Sequence, residues 1–253
     1  MRYLGFATML GTLLACLAAA PASAGDSYTL ALTWQPAFCA DRQDRAECRE
    51  TDAGASPLVL HGLWPDWDAN GDGRRDGDDA YCLDPGPARD SIVGIDTGDG
   101  GWKDLPAVDI TEAMKDDLPA IMPGARAHLD RHEWWKHGTC SGLKPVDYFG
   151  AAILLTRQMQ LGAFGAFLAE HQGESVKLKA LLGVFDAEFG PGSARALKLA
   201  CSPAPDGTMV LSEIQLRLKR ERIGEGLLPS TLETGGRAPR GKCGTTLRIE
   251  AAR

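Results

Sequence analysis

Six cysteines in a chain that carries an export signal constrain this fold more than any other sequence feature. The chain has 253 residues and seven cysteines, one of which, Cys16, lies in the N-terminal leader. Exported chains use even sets of cysteines to form disulfides, so the remaining six predict three bridges. Six cysteines allow fifteen pairings, and the count does not choose among them. The sequence contains no Cys-x-x-Cys pair, which argues against a zinc ribbon or a thioredoxin-like redox site.

The leader, residues 1–24, has the pattern of a secretory signal peptide. Arg2 supplies the positive charge, residues 3–17 the apolar stretch, and Ala22-Ser23-Ala24 the small-residue cleavage site. An alternative interpretation is a lipoprotein signal that places a lipid on Cys16, but the later cleavage site is well formed. No second apolar stretch is long enough to span a membrane. We therefore expect a periplasmic or secreted protein that has no membrane attachment once the signal is removed.

The periodicity of the mature chain, residues 25–253, predicts one α+β domain. Strand-like alternation occurs near both ends and helical patterns occur in the middle, which favours a central, mainly antiparallel sheet with helices packed around it. We expect strands at 27–34, 58–63, 196–201, 209–219 and 245–249, and helices at 110–121, 128–137, 146–171 (broken near 162–165) and 176–189. Residues 66–107, which are rich in Gly, Asp and Pro, are expected to form a long loop region. No linker or repeat suggests a second domain, and we expect a monomer.

The charge balance limits how such a chain can bind a polyanion. The formal net charge is −7, from 27 basic and 34 acidic residues. A field of positive charge over the whole surface is therefore excluded, because acidic residues outnumber basic ones. If the protein acts on nucleic acid, we expect contact at a local site and not wrapped, strongly salt-dependent binding.

Two segments bring together titratable side chains. The first, residues 61–65, places His61 at the end of an apolar strand, and the second contains His132, Glu133, Lys136 and His137. On a helix, Glu133 shares a face with His137, and His132 shares one with Lys136. A solvated face with an ion pair is the alternative for such a cluster. A zinc protease is disfavoured because its motif is His-Glu-x-x-His, whereas these histidines are five residues apart.

Taken together, the two segments resemble the motif segments of the ribonuclease T2 family. They read His-Gly-Leu-Trp-Pro at 61–65 and His-Glu-Trp-Trp-Lys-His-Gly-Thr-Cys at 132–140, in the family's order. Residues 30–39 and the late pair Cys201 and Cys243 are also similar. The resemblance covers most of residues 27–250 and is greatest to bacterial periplasmic members. It implies an endoribonuclease that cleaves single-stranded RNA to 2′,3′-cyclic phosphates and then to 3′-phosphates.

The resemblance also implies a role for each titratable residue. His137 is expected to be the general base that activates the 2′-oxygen, and His61 the general acid for the leaving group. His132 is expected to hold the phosphate, with a share in the acid role as the alternative. Lys136 is expected to stabilise the pentacoordinate state by charge, and Glu133 to polarise a phosphoryl oxygen or orient His137. Histidine suits both proton-transfer roles because its pKa lies near working pH. DNA lacks the 2′-hydroxyl and is not expected to be cut.

Base binding is assigned by the same resemblance. Trp64 is expected to stack on the base and Asp66 to read the base edge, although core packing is an alternative for Trp64. Stacking tolerates every base, which favours broad base specificity. The resemblance further implies the disulfides Cys82–Cys140 and Cys201–Cys243, and the pair that remains is Cys39–Cys48.

An acidic stretch after the first motif lies outside the family pattern and has the spacing of a calcium loop. Its expected ligands are Asp68, Asn70, Asp72, Arg74 (through its backbone carbonyl), Asp76 and Asp79. Asp79 replaces the usual glutamate at the twelfth position, Arg75 replaces an apolar residue, and no clear helix flanks the loop. A polar surface insertion is the alternative. Any calcium would be structural, and we expect catalysis to need no cofactor.

Two functions from other classes remain as alternatives. One is an exported RNA-binding or toxin-like protein that acts through a partner and has a calcium-stabilised loop. The other is a calcium-binding adhesion module, which accounts for residues 68–79 but for neither histidine segment. The complete set of titratable residues in the two segments favours the ribonuclease.

Overall fold

The computed structural model describes residues 27–49, 56–67, 77–78, 80–235 and 241–252. Within these residues the strands are β1 Ser27–Trp34, β2 Leu58–Trp67, β3 Gly77–Asp78, β4 Ser175–Lys177, β5 Leu197–Pro203, β6 Met209–Lys219 and β7 Thr246–Arg248. The helices are α1 Gln35–Cys39, α2 Ala46–Arg49, α3 Pro87–Thr97, α4 Glu112–Ile121, α5 Leu129–Lys136, α6 Pro145–Leu161, α7 Ala163–Glu170 and α8 Leu178–Phe189. The chain is thus a mixture of helices around a sheet, as the sequence predicts.

The strands form one mainly antiparallel sheet. Its order is β3-β2-β1-β6-β7-β4, and β5 pairs with β6. β1 is antiparallel to both β2 and β6, and the pairing of β6 with β7 is parallel. β1 and β6 follow the predicted bounds, whereas β2 runs four residues beyond Leu63, to Trp67. β1 is therefore flanked on one side by β2, which carries His61, and on the other side by the long strand β6.

The hydrophobic core lies where helices pack on this sheet. Alternate residues of β1 such as Tyr28, Leu30 and Leu32 are fully buried, together with Phe149 of α6 and Phe185 of α8. Burial of each such side chain contributes roughly 1.5–3 kcal/mol. Two hydrogen bonds hold α6 on the backbone of β2: the Tyr148 hydroxyl donates to the Leu63 carbonyl at 2.8 Å, and the Gln160 amide donates to the Leu58 carbonyl at 2.7 Å. Helix α6 therefore holds β2, the strand that carries the first motif, in place.

The expectation of a continuous loop region over residues 66–107 is wrong. β2 runs through residue 67, α3 occupies 87–97, and a 3₁₀ turn covers Trp102–Asp104. The first residue of α3 is Pro87, where a missing N–H costs nothing. Ile92 and Asp96 of α3 are buried. This helix depends on tertiary contacts and not on strong local propensity. Its glycine and aspartates weaken the helical pattern, so the sequence did not predict it.

Three disulfides join the described parts of the chain. They are Cys82–Cys140 and Cys201–Cys243, the pairs that the resemblance implies, and Cys39–Cys48, the pair that remains. Cys39–Cys48 links α1 to α2, and Cys201–Cys243 links β5 to the segment before β7. Over the described ranges, no helix is both long and apolar enough to cross a membrane.

Candidate active site

A β-bulge presents His61. Leu32 pairs with Leu60 and Ala31 pairs with Gly62, so His61 is the extra residue of β2 at this point. Bulges redirect a side chain and are frequent beside active sites. The His61 side chain remains 34% exposed, and its Nδ1 lies 3.0 Å from Glu213 Oε2 of β6. The bulge therefore leaves the imidazole accessible while one nitrogen is held.

The carboxylate of Glu133 lies at the centre of the site. It comes from α5, is 1% exposed, and its Oε1 is 3.7 Å from His61 Nε2. Its Oε2 accepts a hydrogen bond from Trp64 Nε1 at 2.8 Å. A Cβ at Gly62 would overlap both the Glu133 carboxylate and the Trp64 indole nitrogen. Glycine at position 62 therefore allows the carboxylate to lie directly on the strand.

Burial controls the protonation of Glu133. It raises the pKa of the carboxyl to about 7, against the opposing influence of His61, Trp64 and Lys136. Near neutral pH the group is thus divided between its acid and carboxylate forms. The neutral form is a hydrogen-bond donor, which a permanently ionised glutamate is not.

His132 is held by a second carboxylate. Its Nδ1 lies 2.8 Å from Asp96 Oδ1, and the Tyr81 hydroxyl donates to the other oxygen of Asp96 at 2.5 Å. The indole of Trp102 stacks on the His132 ring, with the ring centres 4.5 Å apart. Burial lowers the pKa of His132, and the hydrogen bond and charge of Asp96 oppose this only in part.

His137 ends the α5 segment and is 3% exposed. The centre of its ring is 5.5 Å from the Trp64 ring and 6.2 Å from the ring of His132. The chain turns sharply after it, and a Cβ at Gly138 would overlap the ring of Trp134. The charge of Lys136, the residue before it, acts on His61, His132 and Glu133.

The surrounding loops are tied to α5. The Cys82–Cys140 disulfide joins the segment before α3 to the turn after α5, and the Tyr81 N–H donates to the Lys136 carbonyl at 2.8 Å. On the other side, the Arg131 guanidinium donates to the carbonyls of Lys103 and Leu105 at 2.7 and 2.8 Å. These contacts hold Tyr81 and Trp102 beside His132.

The two expected base-binding residues differ in position. Trp64 is half-buried, with its ring centre 5.2 Å from that of His61 and 5.5 Å from that of His137. Asp66 is 3% exposed and accepts a hydrogen bond from the Thr29 hydroxyl of β1. Trp64 therefore contacts the two imidazoles of the titratable cluster, whereas the Asp66 carboxylate is packed against the sheet. Their roles toward a base remain predictions.

An open groove of about 920 Å³ leads away from the cluster. The residues that line it include His61, Trp102, Thr33, Glu213 and Phe38. Arg42 stands over the Phe38 ring, with the guanidinium carbon 5.0 Å from the ring centre.

One set of possible metal ligands occurs among the residues that the structure describes. Atoms of His132, Glu133 and His137 lie within 4.8 Å of one another. However, His132 Nδ1 already bonds Asp96, and Glu133 Oε2 already accepts from Trp64. The six expected calcium ligands, residues 68–79, lie outside the described residues.

Sequence reasoning missed the side chains that support the two imidazoles. Glu213 and Asp96 bond His61 and His132, and Tyr81 and Trp102 complete the surroundings of His132. None belongs to either motif. The available signals were an isolated acidic residue in an alternating strand and an aspartate in a region expected to be a loop.

Comparisons with known proteins agree with this geometry. The model of the "Ribonuclease T2 family" matches residues 25–225. The chain is 31% identical to "Ribonuclease I" of Escherichia coli over 238 residues, which cover 90% of this chain and 87% of that protein. It is 24% identical to "Ribonuclease 1" of Arabidopsis thaliana, covering 88% and 86% of the two chains.

Solved structures show the same fold. The self-incompatibility associated SF11-RNase of Nicotiana alata superposes with a TM-score of 0.58 at 17% identity, covering 89% of this chain and 99% of that one. Ribonuclease MC1 from bitter gourd seeds superposes with a TM-score of 0.52 at 18% identity, covering 88% and 99%.

Proposed function

The chain belongs to the ribonuclease T2 family and is an endoribonuclease, and on this basis we propose that it is exported and cleaves single-stranded RNA by transphosphorylation. The products are 2′,3′-cyclic phosphates and then, more slowly, 3′-phosphates. The observation that carries the proposal is the convergence of two imidazoles on one indole: the rings of His61 and His137 lie on Trp64 at 5.2 and 5.5 Å. A base and an acid at one phosphate are what this reaction requires.

In the first step, His137 takes the proton of the 2′-hydroxyl as the 2′-oxygen attacks phosphorus. His61 gives a proton to the departing 5′-oxygen. Burial lowers the pKa of His61, but the hydrogen bond to Glu213 and the charges of Glu133 and Glu213 outweigh it and raise the pKa overall. A raised pKa favours the protonated form of His61, which suits the acid. In the second step the two histidines exchange roles, and water opens the cyclic phosphate.

Three other residues act on the charge of the phosphorane. Lys136 provides a positive charge that acts on Glu133, His61 and His132. Glu133, with its pKa raised to about 7 by burial, donates a hydrogen bond to a phosphoryl oxygen when it is protonated. When it is protonated, His132 holds the phosphate through its Nε2–H, since Asp96 occupies Nδ1. Interactions that strengthen as charge develops lower the barrier.

The groove offers a place for the RNA beyond the scissile bond. Because His61 protonates the leaving 5′-oxygen and borders the groove, the nucleotides on the 3′ side of the cut extend along it. Stacking of a base on Trp64, with edge contacts from Asp66 after a local rearrangement, accounts for broad specificity. The alternative of a binding protein that acts through a partner is not favoured, because the full catalytic set is present.

Export is supported by the three disulfides and by the leader, residues 1–24. The proposal includes removal of this leader, a monomeric mature chain from residue 25, and a periplasmic or secreted location. It also includes a structural calcium ion at Asp68, Asn70, Asp72, Arg74, Asp76 and Asp79, which takes no part in catalysis.

Digestion of total RNA and of matched DNA in EDTA, with mass spectrometry of the products, tests the function. We expect RNA to be cut to 2′,3′-cyclic ends while DNA stays intact. Folded, disulfide-bonded protein that leaves RNA uncut from acidic to neutral pH would overturn the proposal. Thermal unfolding of the same sample in EDTA and in added calcium tests the loop: a higher melting temperature in calcium is expected, and identical values would remove the calcium site.

A further inference from the structure

Glu213 is an acidic residue outside both motifs that contacts a catalytic histidine. Its Oε2 lies 3.0 Å from His61 Nδ1, although the two residues belong to strands separated by β1. Glu213 pairs with Thr33 of β1 and with Ala200 of β5, so both sides of its backbone are held in the sheet. Its carboxylate contacts His61 across β1, and Glu213, Thr33 and His61 all line the groove. This contact is therefore set by strand register and not by a mobile loop.

The carboxylate is itself fixed in orientation. The Gln215 amide donates to its Oε1 at 2.6 Å, which leaves Oε2 for His61. Burial raises the pKa of Glu213, but the hydrogen bond and charge of His61, with Gln215 and Lys198, outweigh it and lower the pKa overall. The lowered pKa favours the ionised form of Glu213, which presents a negative oxygen to the imidazole.

The consequence for His61 follows from the chemistry of the ring. When one nitrogen of an imidazole donates to a carboxylate, the other nitrogen is left to exchange the reacting proton. A carboxylate on Nδ1 also stabilises the imidazolium form and fixes the tautomer. Here Nδ1 is held by Glu213, so Nε2 is the nitrogen that faces Glu133 and the remainder of the cluster.

We propose that Glu213 is a positioning residue for the general acid: it fixes His61 with Nε2 toward the scissile phosphate and keeps that nitrogen protonated. The inference rests on the proposed function, because it requires His61 to be the acid. Glu213 does not touch substrate in this proposal and acts only through His61.

Other charged groups also face His61, and the test has to separate them from Glu213. From α5, Glu133 favours the imidazolium, whereas Lys136 and His132 disfavour it. From β6, Glu213 is the acidic group that bonds the ring directly. Changing Glu213 alone leaves the three α5 groups in place.

The experiment compares Glu213→Gln and Glu213→Ala with the wild type on two substrates. One is a dinucleotide, whose 5′-oxygen needs a proton to leave. The other is a nucleoside 3′-(4-nitrophenyl phosphate), whose leaving group needs none. Glutamine keeps an acceptor for Nδ1 without the charge, whereas alanine removes both.

We expect kcat/KM on the dinucleotide to fall roughly tenfold in Glu213→Gln and roughly 100-fold in Glu213→Ala, with little change on the nitrophenyl substrate. The alkaline limb of the pH profile should move to lower pH in both variants, because His61 loses its proton earlier. Nitrogen-detected NMR titration of His61 should report the same downward shift. Glu233→Gln is the matched control, since Glu233 pairs with Arg217 at 3.6 Å outside the cluster, and its profile should match the wild type.

Equal losses on both substrates, or an unmoved alkaline limb in variants that melt like the wild type, would overturn the inference. His61→Ala serves as the reference. If it loses dinucleotide cleavage while both Glu213 variants behave like the wild type, only the role of Glu213 is wrong. If His61→Ala itself keeps normal activity, the assignment of the acid in the proposed function fails instead.

Discussion

His61 and His132 are two imidazoles with the same kind of partner and opposite pKa shifts. Each has Nδ1 on a carboxylate oxygen, at 3.0 Å from Glu213 and at 2.8 Å from Asp96. The pKa of His61 is nevertheless raised and that of His132 lowered. A carboxylate on Nδ1 is therefore not sufficient to keep an imidazole charged.

The surroundings account for the difference. Burial opposes the charge in both rings, but His61 has a second carboxylate, Glu133, at 3.7 Å. The side chain of His132 is 16% exposed, against 34% for His61, and Trp102 covers its face. Lys136 and His61 add positive charge near it. The imidazole at the bulge of the sheet thus has a raised pKa, and the imidazole on the helix has a lowered one.

We expect the largest loss of RNA cleavage from substitution of His61 or His137, the proposed proton-transfer residues. Substitution of His132, the proposed phosphate-binding residue, should cause a smaller loss. His61→Ala and His137→Ala should each lower RNA cleavage by about 10³-fold, and His132→Ala by roughly 10- to 100-fold, because only the first two move protons. Initial rates on RNA, with circular dichroism to verify folding, measure this. His171→Ala is the control, since His171 stacks on Phe167, a contact outside the cluster. A wild-type rate in His61→Ala or His137→Ala would remove the proton-transfer assignment.

A smaller effect should come from Asp96→Asn and should have the opposite pH dependence to Glu213→Gln. Loss of the Asp96 charge lowers the pKa of His132 further, so cleavage should fall roughly tenfold at pH 5 and little at pH 7, where His132 is already neutral. The pH profile of kcat/KM measures this. Tyr81→Phe removes the other hydrogen bond of Asp96 but keeps the charge, and it should resemble the wild type at pH 5. A loss that is larger at pH 7 would contradict the comparison.

The smallest expected effect is on the pH dependence of stability. It arises from Glu133, which lies near both His61 and His132. Burial raises its pKa from 4.5 to about 7, so over that range the folded protein binds a proton that the unfolded chain has released. The free energy of unfolding from this group therefore falls as pH rises across the same range. Glu133→Gln should flatten the decline in melting temperature between pH 4.5 and 7 by a few degrees. Calorimetry of both proteins measures it, with Glu233→Gln expected to keep the wild-type slope; parallel curves for Glu133→Gln would contradict the buried-acid interpretation.

The sequence predicted β1, β6 and the residues of the titratable cluster well because their signals are local. The alternation of residues 27–34 and 209–219 gave the bounds of β1 and β6, and the two motifs gave the cluster. The supporting carboxylates could not be found in this way. Asp96 lies on α3, whose glycine and aspartates weaken the helical pattern and whose stability comes from packing. From the alternation alone, Glu213 is interpreted as a solvent-facing residue. Its contact with His61 follows only from the register of three strands.

The close contact of Gly62 and Glu133 has a consequence for how this sequence can change. Even an alanine at position 62 would overlap the Glu133 carboxylate and the Trp64 indole nitrogen. A substitution there therefore forces the Glu133 carboxylate and the Trp64 indole to move, and a smaller residue at 133 removes one of these two obstacles. The two positions are distant in the chain, but the effect of a substitution at one depends on which residue occupies the other. A saturation library would record strong epistasis between them, and a scan of single substitutions would show only an invariant glycine.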